Sequence, residues 1–371
     1  MNDNPLVPAP IARLPWKLLL LVIAIGGFGT VILYSAAGGN LRPWALPHAL
    51  RFTAFLFAAI ALSYIGIQRL KQMTMPIYAI LLVLLLAVEI MGVVGGGAQR
   101  WLNLGFIHLQ PSELMKPAVV LMVARFFDIL PSGEIRGWHA LWPPLTLIGL
   151  PVVLVLLQPD LGTALTILGG GITVMFLAGL PLRLFVGSGL ALGAALPIAV
   201  SFLHDYQRKR VEIFLDPEKD PLGAGYHIIQ SKIAIGSGGL TGKGFLQGTQ
   251  SHLDYLPEGH TDFVFATMAE EWGLAGSVFL ILTYLLVVNW GMRVALSARS
   301  RYGRLAAAGL STTIFFYFAI NLMMVMGLAP VVGIPLPLVS YGGSAMMTVM
   351  ICLGLLMAIA RSERASSQSA F

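Results

Sequence analysis

From Leu18 to Leu41 the chain carries no charged side chain, and apolar runs of this kind recur along its whole length. A helix needs about 20 largely apolar residues to cross the hydrocarbon layer of a membrane. By that measure ten segments qualify, near 16–36, 46–67, 75–94, 112–130, 143–158, 162–180, 184–203, 262–292, 305–328 and 336–360. Hydrocarbon offers the backbone no hydrogen-bond partner, so spanning segments are helices or closed barrels. These runs are continuous rather than alternating, which disfavours a barrel. Composition points the same way: of 371 residues 57% are hydrophobic and 11% charged, against roughly 25% charged in soluble domains. Disordered chains are charge-rich and apolar-poor, so disorder is excluded as well. The expected fold is an all-α integral membrane protein, a polytopic bundle of about ten transmembrane helices in a single domain over 1–371. Pro117, Pro143, Pro144, Pro151 and Pro159 interrupt the fourth to sixth spans and leave their boundaries softest.

The first run follows Arg13 and Lys17 and ends in Ser35-Ala36-Ala37, a pattern shared with secretory signals. It is long for an apolar signal core, and nine more spans follow, so it reads as an uncleaved first helix. Ten spans put both termini on one side. Arg13, Lys17, Arg69, Lys71, Arg125, Arg136 and Arg183 fall on that side, as do Arg293, Arg299, Arg301, Arg304, Arg361 and Arg364. Short connections on the other side hold Arg42 and Arg100. Positive charge concentrates on the cytoplasmic side of membrane proteins, which makes the termini cytoplasmic. The net charge of +6 is then a topology signal with anionic-lipid contact, not a nucleic-acid footprint. Cys352, the single cysteine, sits in an apolar run and has no partner for an internal disulfide.

Residues 204–261, between the seventh and eighth spans, form a large extracytoplasmic loop. Connections this long are functional or disordered, and Tyr206, Phe214, Tyr226, Ile228, Phe245 and Tyr255 argue for order. Val211–Leu215 and Tyr226–Ile235 have the pattern of short amphipathic helices lying at a membrane surface.

Ionisable groups within or beside a membrane are costly and mark candidate sites. Thr261 is a plausible N-cap that places Asp262 in the opening turn of the eighth helix, where the helix dipole favours a carboxylate. Asp262 there is a general base, a cation ligand or a plain helix-start acid. In Gln110-Pro-Ser-Glu-Leu-Met-Lys116, Ser112 can cap a helix on which Glu113 and Lys116 stand one turn apart. They form either an internal pair or a carboxylate with a phosphate-binding cation. Gly95-Gly-Gly-Ala-Gln-Arg-Trp101 reads as a flexible loop whose Arg100 and Trp101 face a lipid phosphate or sugar, or simply anchor the interface. Asp160 in Gln158-Pro-Asp-Leu-Gly-Thr163 reads as a helix cap or a site acid. Arg208, Lys209 and Arg210 suit anionic head groups or a solvated patch, and the acidic stretch 216–220 reads as a charged turn in preference to a Ca²⁺ or Mg²⁺ site. The glycine run 236–244 is not a phosphate loop, since Ser237 and Gly244 break that pattern around Lys243. Its backbone N–H groups remain weak candidates for a phosphate or sugar. The seven histidines show no zinc-ligand spacing.

Five stretches resemble one family. Residues 321–345 (Asn-Leu-Met-Met-Val-Met-Gly through Pro-Leu-Pro-Leu-Val-Ser-Tyr-Gly-Gly-Ser-Ala), 97–101, 110–113 and 158–163 are similar to motifs of the SEDS family (shape, elongation, division and sporulation). So is Asp205–Gly273, whose 216–221 and 252–262 segments resemble its rod-elongation branch. The resemblance implies a peptidoglycan glycosyltransferase that polymerises lipid II into glycan strands at the outer face of the bacterial cytoplasmic (inner) membrane. It implies a class B penicillin-binding protein as crosslinking partner, within a set of elongation-complex membrane proteins. It also makes Asp262 the catalytic carboxylate. Arg100, Lys116, Arg208 and Arg210 are then candidates to receive the leaving diphosphate, with Trp101, Glu113 and Lys243 as further substrate-binding candidates. A divalent cation such as Mg²⁺ is one more candidate for that task, and no protein metal site is expected. Transport of a lipid-linked precursor is the competing reading, because ten spans with internal Lys and Glu also suit a flippase.

Overall fold

The computed structural model describes residues 14–368 except 96–97, 104, 106–107, 136, 202–207, 209–211, 221–222, 254 and 257. Ten long helices stand among them, one for each expected span. They are α1 (Trp16–Ala36), α2 (Ala45–Leu62), α3 (Ile67–Met91), α4 (Pro111–Ile129), α5 (Trp142–Leu157), α6 (Leu161–Leu177) and α7 (Leu182–Ser201). After the long connection, which holds α8 (Ala224–Ser237) and α9 (Thr249–His252), come α10 (Val264–Ser297), α11 (Arg301–Val325) and α12 (Gly343–Gln368). Seven of the ten, α5 counted from Trp138, are long and apolar enough to cross a membrane on their own. The other three are α6 and α7, whose apolar stretches are Leu161–Leu177 and Leu182–Ala195, and α4, which carries Glu113, Lys116, Arg125 and Asp128. That helix needs neighbours to cover it, and it has them: α4, α11 and α12 form the centre, with α3, α6 and α10 around them. Small residues let α11 come close, and a Cβ on Gly309 would lie 2.6 Å from Val120 and Val174.

Prolines behave as membrane context allows. Pro111 opens α4 and Pro143 opens α5, while Pro76, Pro117 and Pro151 lie inside helices. The tenth span departs most from expectation. The apolar run begins near 336, but the helix begins at Gly343, because Pro335 and Pro337 keep 334–339 out of a helix. Ile334, Leu336, Leu338 and Val339 are nonetheless buried. Irregular backbone at this depth needs side-chain partners: the Asn321 amide donates to the Ile334 carbonyl at 2.7 Å, and His48 Nε2 lies 3.1 Å from the Leu338 carbonyl. A second departure is the segment expected as a flexible loop around 95–101. It is an antiparallel three-stranded sheet of β1 (Val93–Gly95), β2 (Ala98–Asn103) and β3 (His108–Leu109), with Trp101 opposite Val93 and Leu102 opposite Leu109.

The connection between α7 and α10 is folded onto the bundle. Ile228, Ser231 and Ala234 of α8 are buried against α10 and α11, and the Ser231 hydroxyl donates to the Val325 carbonyl at 2.7 Å. α8 is therefore a packed element rather than a helix resting on a membrane surface alone. The glycine run has a different task from the one its composition suggests. α10 breaks at Gly273 (φ 61°, ψ −155°), so the carbonyls of Glu270 and Glu271 lose their usual partners one turn on. Lys243 and Gly244 donate to those two carbonyls instead, at 2.9 and 3.1 Å. In return Leu274 and Ala275 donate to the carbonyls of Gly239 and Leu240, at 2.9 and 3.1 Å. The N–H groups of Lys243 and Gly244 are consequently spent on α10 and not on a phosphate.

This exchange makes a stability prediction. Gly242 has φ +82°, and a Cβ there would lie 2.0 Å from the Glu271 carbonyl oxygen, whereas nothing lies within 4 Å of one on Gly236. Left-handed backbone alone costs a non-glycine residue about 1–3 kcal/mol. Gly242→Ala is expected to lower the thermal unfolding temperature and speed proteolysis between α8 and α10, while Gly236→Ala leaves both near wild type. Equal melting of the two variants would refute the clamp.

Candidate active site

α10 begins at Val264 with Phe263 before it, and neither a side-chain cap nor Thr261 closes its first turn. The Thr261 hydroxyl turns back to the Glu258 carboxylate. Asp262 therefore lies just outside the helix, in a turn closed by Phe263 N–H to the Glu258 carbonyl at 3.1 Å. The expected cap is corrected, yet the carboxylate still sits at the start of α10. The turn is stitched to the irregular segment before α12 at three points. The Asn321 amide donates to the Asp262 carbonyl at 2.8 Å, the Ser340 hydroxyl to the Thr261 carbonyl at 2.6 Å, and Tyr341 N–H to the His260 carbonyl at 2.9 Å. Asn321 also holds Ile334, so one buried amide fixes both sides of the seam.

Asp262 lines a cavity of about 290 Å³ whose other walls include Arg100, Trp101, Gln110, Glu113, Asp160 and Tyr341. Four of the sequence candidates, Arg100, Trp101, Glu113 and Asp262, thus converge, with Asp160 beside them. Gly333 belongs to the same wall, and a Cβ there would lie 3.5 Å from Asp262 Oδ2. Asp160 caps α6 by accepting from Thr163 N–H at 3.1 Å, and its other oxygen accepts from the Gln110 amide at 3.2 Å. Its role as a helix cap is thus realised in a residue that also faces the cavity. Arg100 is held by backbone carbonyls: Nε donates to Gln158 at 3.0 Å, and Nη2 to Pro159. That fixes β2 against the α5–α6 turn.

Lys116 lies behind the cavity wall at 1% exposure. Its Nζ donates to Glu113 Oε1 at 2.5 Å and to the Tyr317 hydroxyl at 2.7 Å, and that hydroxyl donates to Glu113 Oε2. The three groups close on each other, which favours the internal-pair reading of Glu113 and Lys116. Ser112 does not cap α4; Gln110 holds the cap position, and the Ser112 hydroxyl is buried without a partner among the described residues.

The remaining candidates are not brought to the cavity. Lys243 donates to Glu270 Oε1 at 2.6 Å and to the Thr249 hydroxyl at 2.7 Å, inside the clamp around α10. Arg208 is exposed and paired with Glu212 at 3.1 Å. Arg210 lies outside the described residues. Among the described residues no group of three or more His, Cys, Asp and Glu side chains converges as a metal site.

Sequence reasoning missed Tyr317, Asn321, Tyr341 and Arg51. Tyr317 and Asn321 are one turn apart on α11 and serve the triad and the Asp262 seat respectively; their signal is a polar side chain inside an apolar run. Tyr341 belongs to a layered stack. Trp44 lies face to face with His260 at 4.1 Å between centroids, His260 contacts Tyr341, and the Arg51 guanidinium lies 4.9 Å from the Tyr341 ring centre. Burial lowers the His260 pKa from its ordinary value, against the pull of Glu258, so the ring is neutral near pH 7.

Comparison with known proteins places this geometry in context. The family model for cell cycle proteins of the FtsW/RodA/SpoVE type matches residues 14–365. The chain is similar to the peptidoglycan glycosyltransferase MrdB of Escherichia coli K12, at 44% identity with both chains fully covered. It is also similar to a solved chain from a study of how a peptidoglycan synthase complex coordinates polymerization and crosslinking. That match has TM-score 0.82 and 35% identity, and covers 94% of this chain and 98% of the other. The crystal structure of the Thermus thermophilus rod shape determining protein RodA matches with TM-score 0.70 and 30% identity, over 94% of this chain and 97% of that one.

Removing one member of a buried ion pair strands the other charge, at about 3–5 kcal/mol, whereas replacing both with apolar groups is often neutral. Lys116→Met and Glu113→Gln are each expected to lower the melting temperature of the purified protein. Glu113→Leu/Lys116→Met should recover most of the loss. A fully stable Lys116→Met would contradict the closed triad.

Proposed function

The chain is a peptidoglycan glycosyltransferase of the FtsW/RodA/SpoVE family, and we propose that it polymerises lipid II with Asp262 as the general base. The observation that carries this reading is the position of Asp262 on the wall of the cavity, with its backbone clamped by Asn321. The donor sugar arrives activated as a lipid diphosphate. Asp262 takes the proton of the acceptor 4-hydroxyl as that oxygen bonds to the anomeric carbon, and the bond from that carbon to the diphosphate breaks. The lipid diphosphate leaves as an anion and needs no acid, only positive charge beside it. We assign that charge to Arg100 in the cavity wall and to Arg51 beside Tyr341, and a sugar-stacking face to Trp101. Arg208 and Arg210, on the long connection, meet the diphosphate on its way in. A divalent cation such as Mg²⁺ would be held by the diphosphate itself together with Asp262.

The charge bias of the connections supports cytoplasmic termini in the bacterial inner membrane, which puts the cavity at the outer face. The 371 residues contain no Ser-x-x-Lys acyl-transfer motif, so the linear glycan must be crosslinked by a partner. A class B penicillin-binding protein docked on α10, α11 and the 204–261 connection fits that need. Its contact would order the surroundings of Asp262, a shift of population rather than a new catalytic group.

Positioned general bases contribute about 10²–10⁴-fold to rate. Purified Asp262→Asn is expected to melt like wild type and to make no glycan from labelled lipid II. Near-normal chains from this almost isosteric variant would remove Asp262 from the base role. Adding the class B partner, or its active-site serine mutant, should raise wild-type polymerisation equally; identical rates with and without either would show that the partner only crosslinks.

A further inference from the structure

A second cavity lies at the opposite end of the bundle, where α6 and α10 end and α11 begins. It encloses about 470 Å³ and is walled by Leu177, Ala178, Met292, Leu296 and Leu305, with Arg301 and Arg304 at its rim. Leu296 is 83% exposed and Leu177 43%. In a membrane-spanning bundle these side chains open the cavity sideways to lipid. The two arginines are one turn apart on α11. Arg301 Nη1 is anchored on the Leu130 carbonyl at 2.9 Å, while its Nη2 is buried and finds no acceptor among the described residues. Arg304 is exposed. The carboxylates that touch the start of α11 are turned elsewhere: Asp128 accepts from Tyr302 N–H and pairs with Lys71, and Glu363 accepts from Arg299 N–H. Neither lines the cavity.

We propose that this cavity binds one anionic phospholipid of the adjoining leaflet, its phosphate between Arg301 and Arg304 and an acyl chain along Leu177, Met292 and Leu296. An apolar wall that continues into two guanidiniums at the end of the spans matches an amphiphile and not a soluble anion. A guanidinium gives a phosphate oxygen charge-assisted bonds, and both Arg301 and Arg304 line the cavity. Each basic residue near an anionic surface contributes about 1 kcal/mol, or about fivefold in affinity.

Native mass spectrometry of the delipidated full chain tests this by counting lipid adducts. The titrants are phosphatidylglycerol, phosphatidylcholine with the same acyl chains, and phosphatidylglycerol in the presence of millimolar inorganic phosphate. Phosphatidylglycerol should bind at least about fivefold more tightly than phosphatidylcholine, and inorganic phosphate should not displace it. Arg304→Gln, at an exposed position that leaves folding intact, should lose most of that preference, and Arg301→Gln/Arg304→Gln should abolish it. Equal binding of the two lipids, or an unchanged preference in Arg304→Gln, would overturn the site. Displacement by inorganic phosphate would make it a free-anion site and overturn the lipid assignment.

Discussion

Four hydrogen bonds exchanged across the break in α10 hold the loop-rich end of this protein together. A helix interrupted at Gly273 leaves two carbonyls and two N–H groups unpaired inside a membrane protein, where each orphan is expensive. The segment 239–244 supplies two carbonyls and two N–H groups in complementary order. That exchange needs backbone against backbone, which explains why glycines stand at 238 and 242, where a Cβ would lie 2.0 Å from a carbonyl oxygen. Glu270 reinforces the clamp: it is fully buried, and it accepts from Lys243 and from the N–H groups of Thr249 and Gln250 at the start of α9. Because α9 leads directly into 256–263, the clamp also determines where Asp262 arrives.

Glu113 and Asp262, both in the cavity wall, are held in two different ways. Glu113 and Lys116 form a set with Tyr317 in which every group meets another, so their mutual attraction offsets the cost of leaving water. The set bonds α4 to α11 behind the cavity and gives the wall a fixed shape. Asp262 is instead positioned through its backbone, by Asn321, at the wall itself. Asp262 itself forms part of the cavity wall.

The ten spans were legible because hydrophobic length is a one-dimensional property, and each expected run has its helix. Their ends were less legible. Tyr64 and Ile65 extend an apolar count past the end of α2 at Leu62, and the apolar segment 334–339 is not helical because two prolines and side-chain bonds from Asn321 and His48 hold it otherwise. Within the site, the convergence of Arg100, Trp101, Glu113 and Asp262 followed motifs that are local in sequence. The fate of Lys243 did not, since its partner Glu270 lies across a backbone exchange that no periodicity reveals. Nor did sequence spacing announce that Arg51 on α2 would stand beside Tyr341.

A lipid-linked diphosphate cannot leave the interface without a large desolvation cost, while its polyprenyl tail cannot leave hydrocarbon. A polymerase for such a substrate must bring its reactive groups to the interface, and a bundle of spanning helices can do so only at helix ends. Here Asp262, the base proposed above, lies just before the start of α10, Arg100 on a short sheet between α3 and α4, and Asp160 at the start of α6. All three line the one cavity at this end of the bundle. The closed Glu113–Lys116–Tyr317 set begins in the first turn of α4 at the same end, with Glu113 in the cavity wall and Lys116 behind it. Moving a charged head group between α4 and α11 would break the bonds this set makes between the two helices.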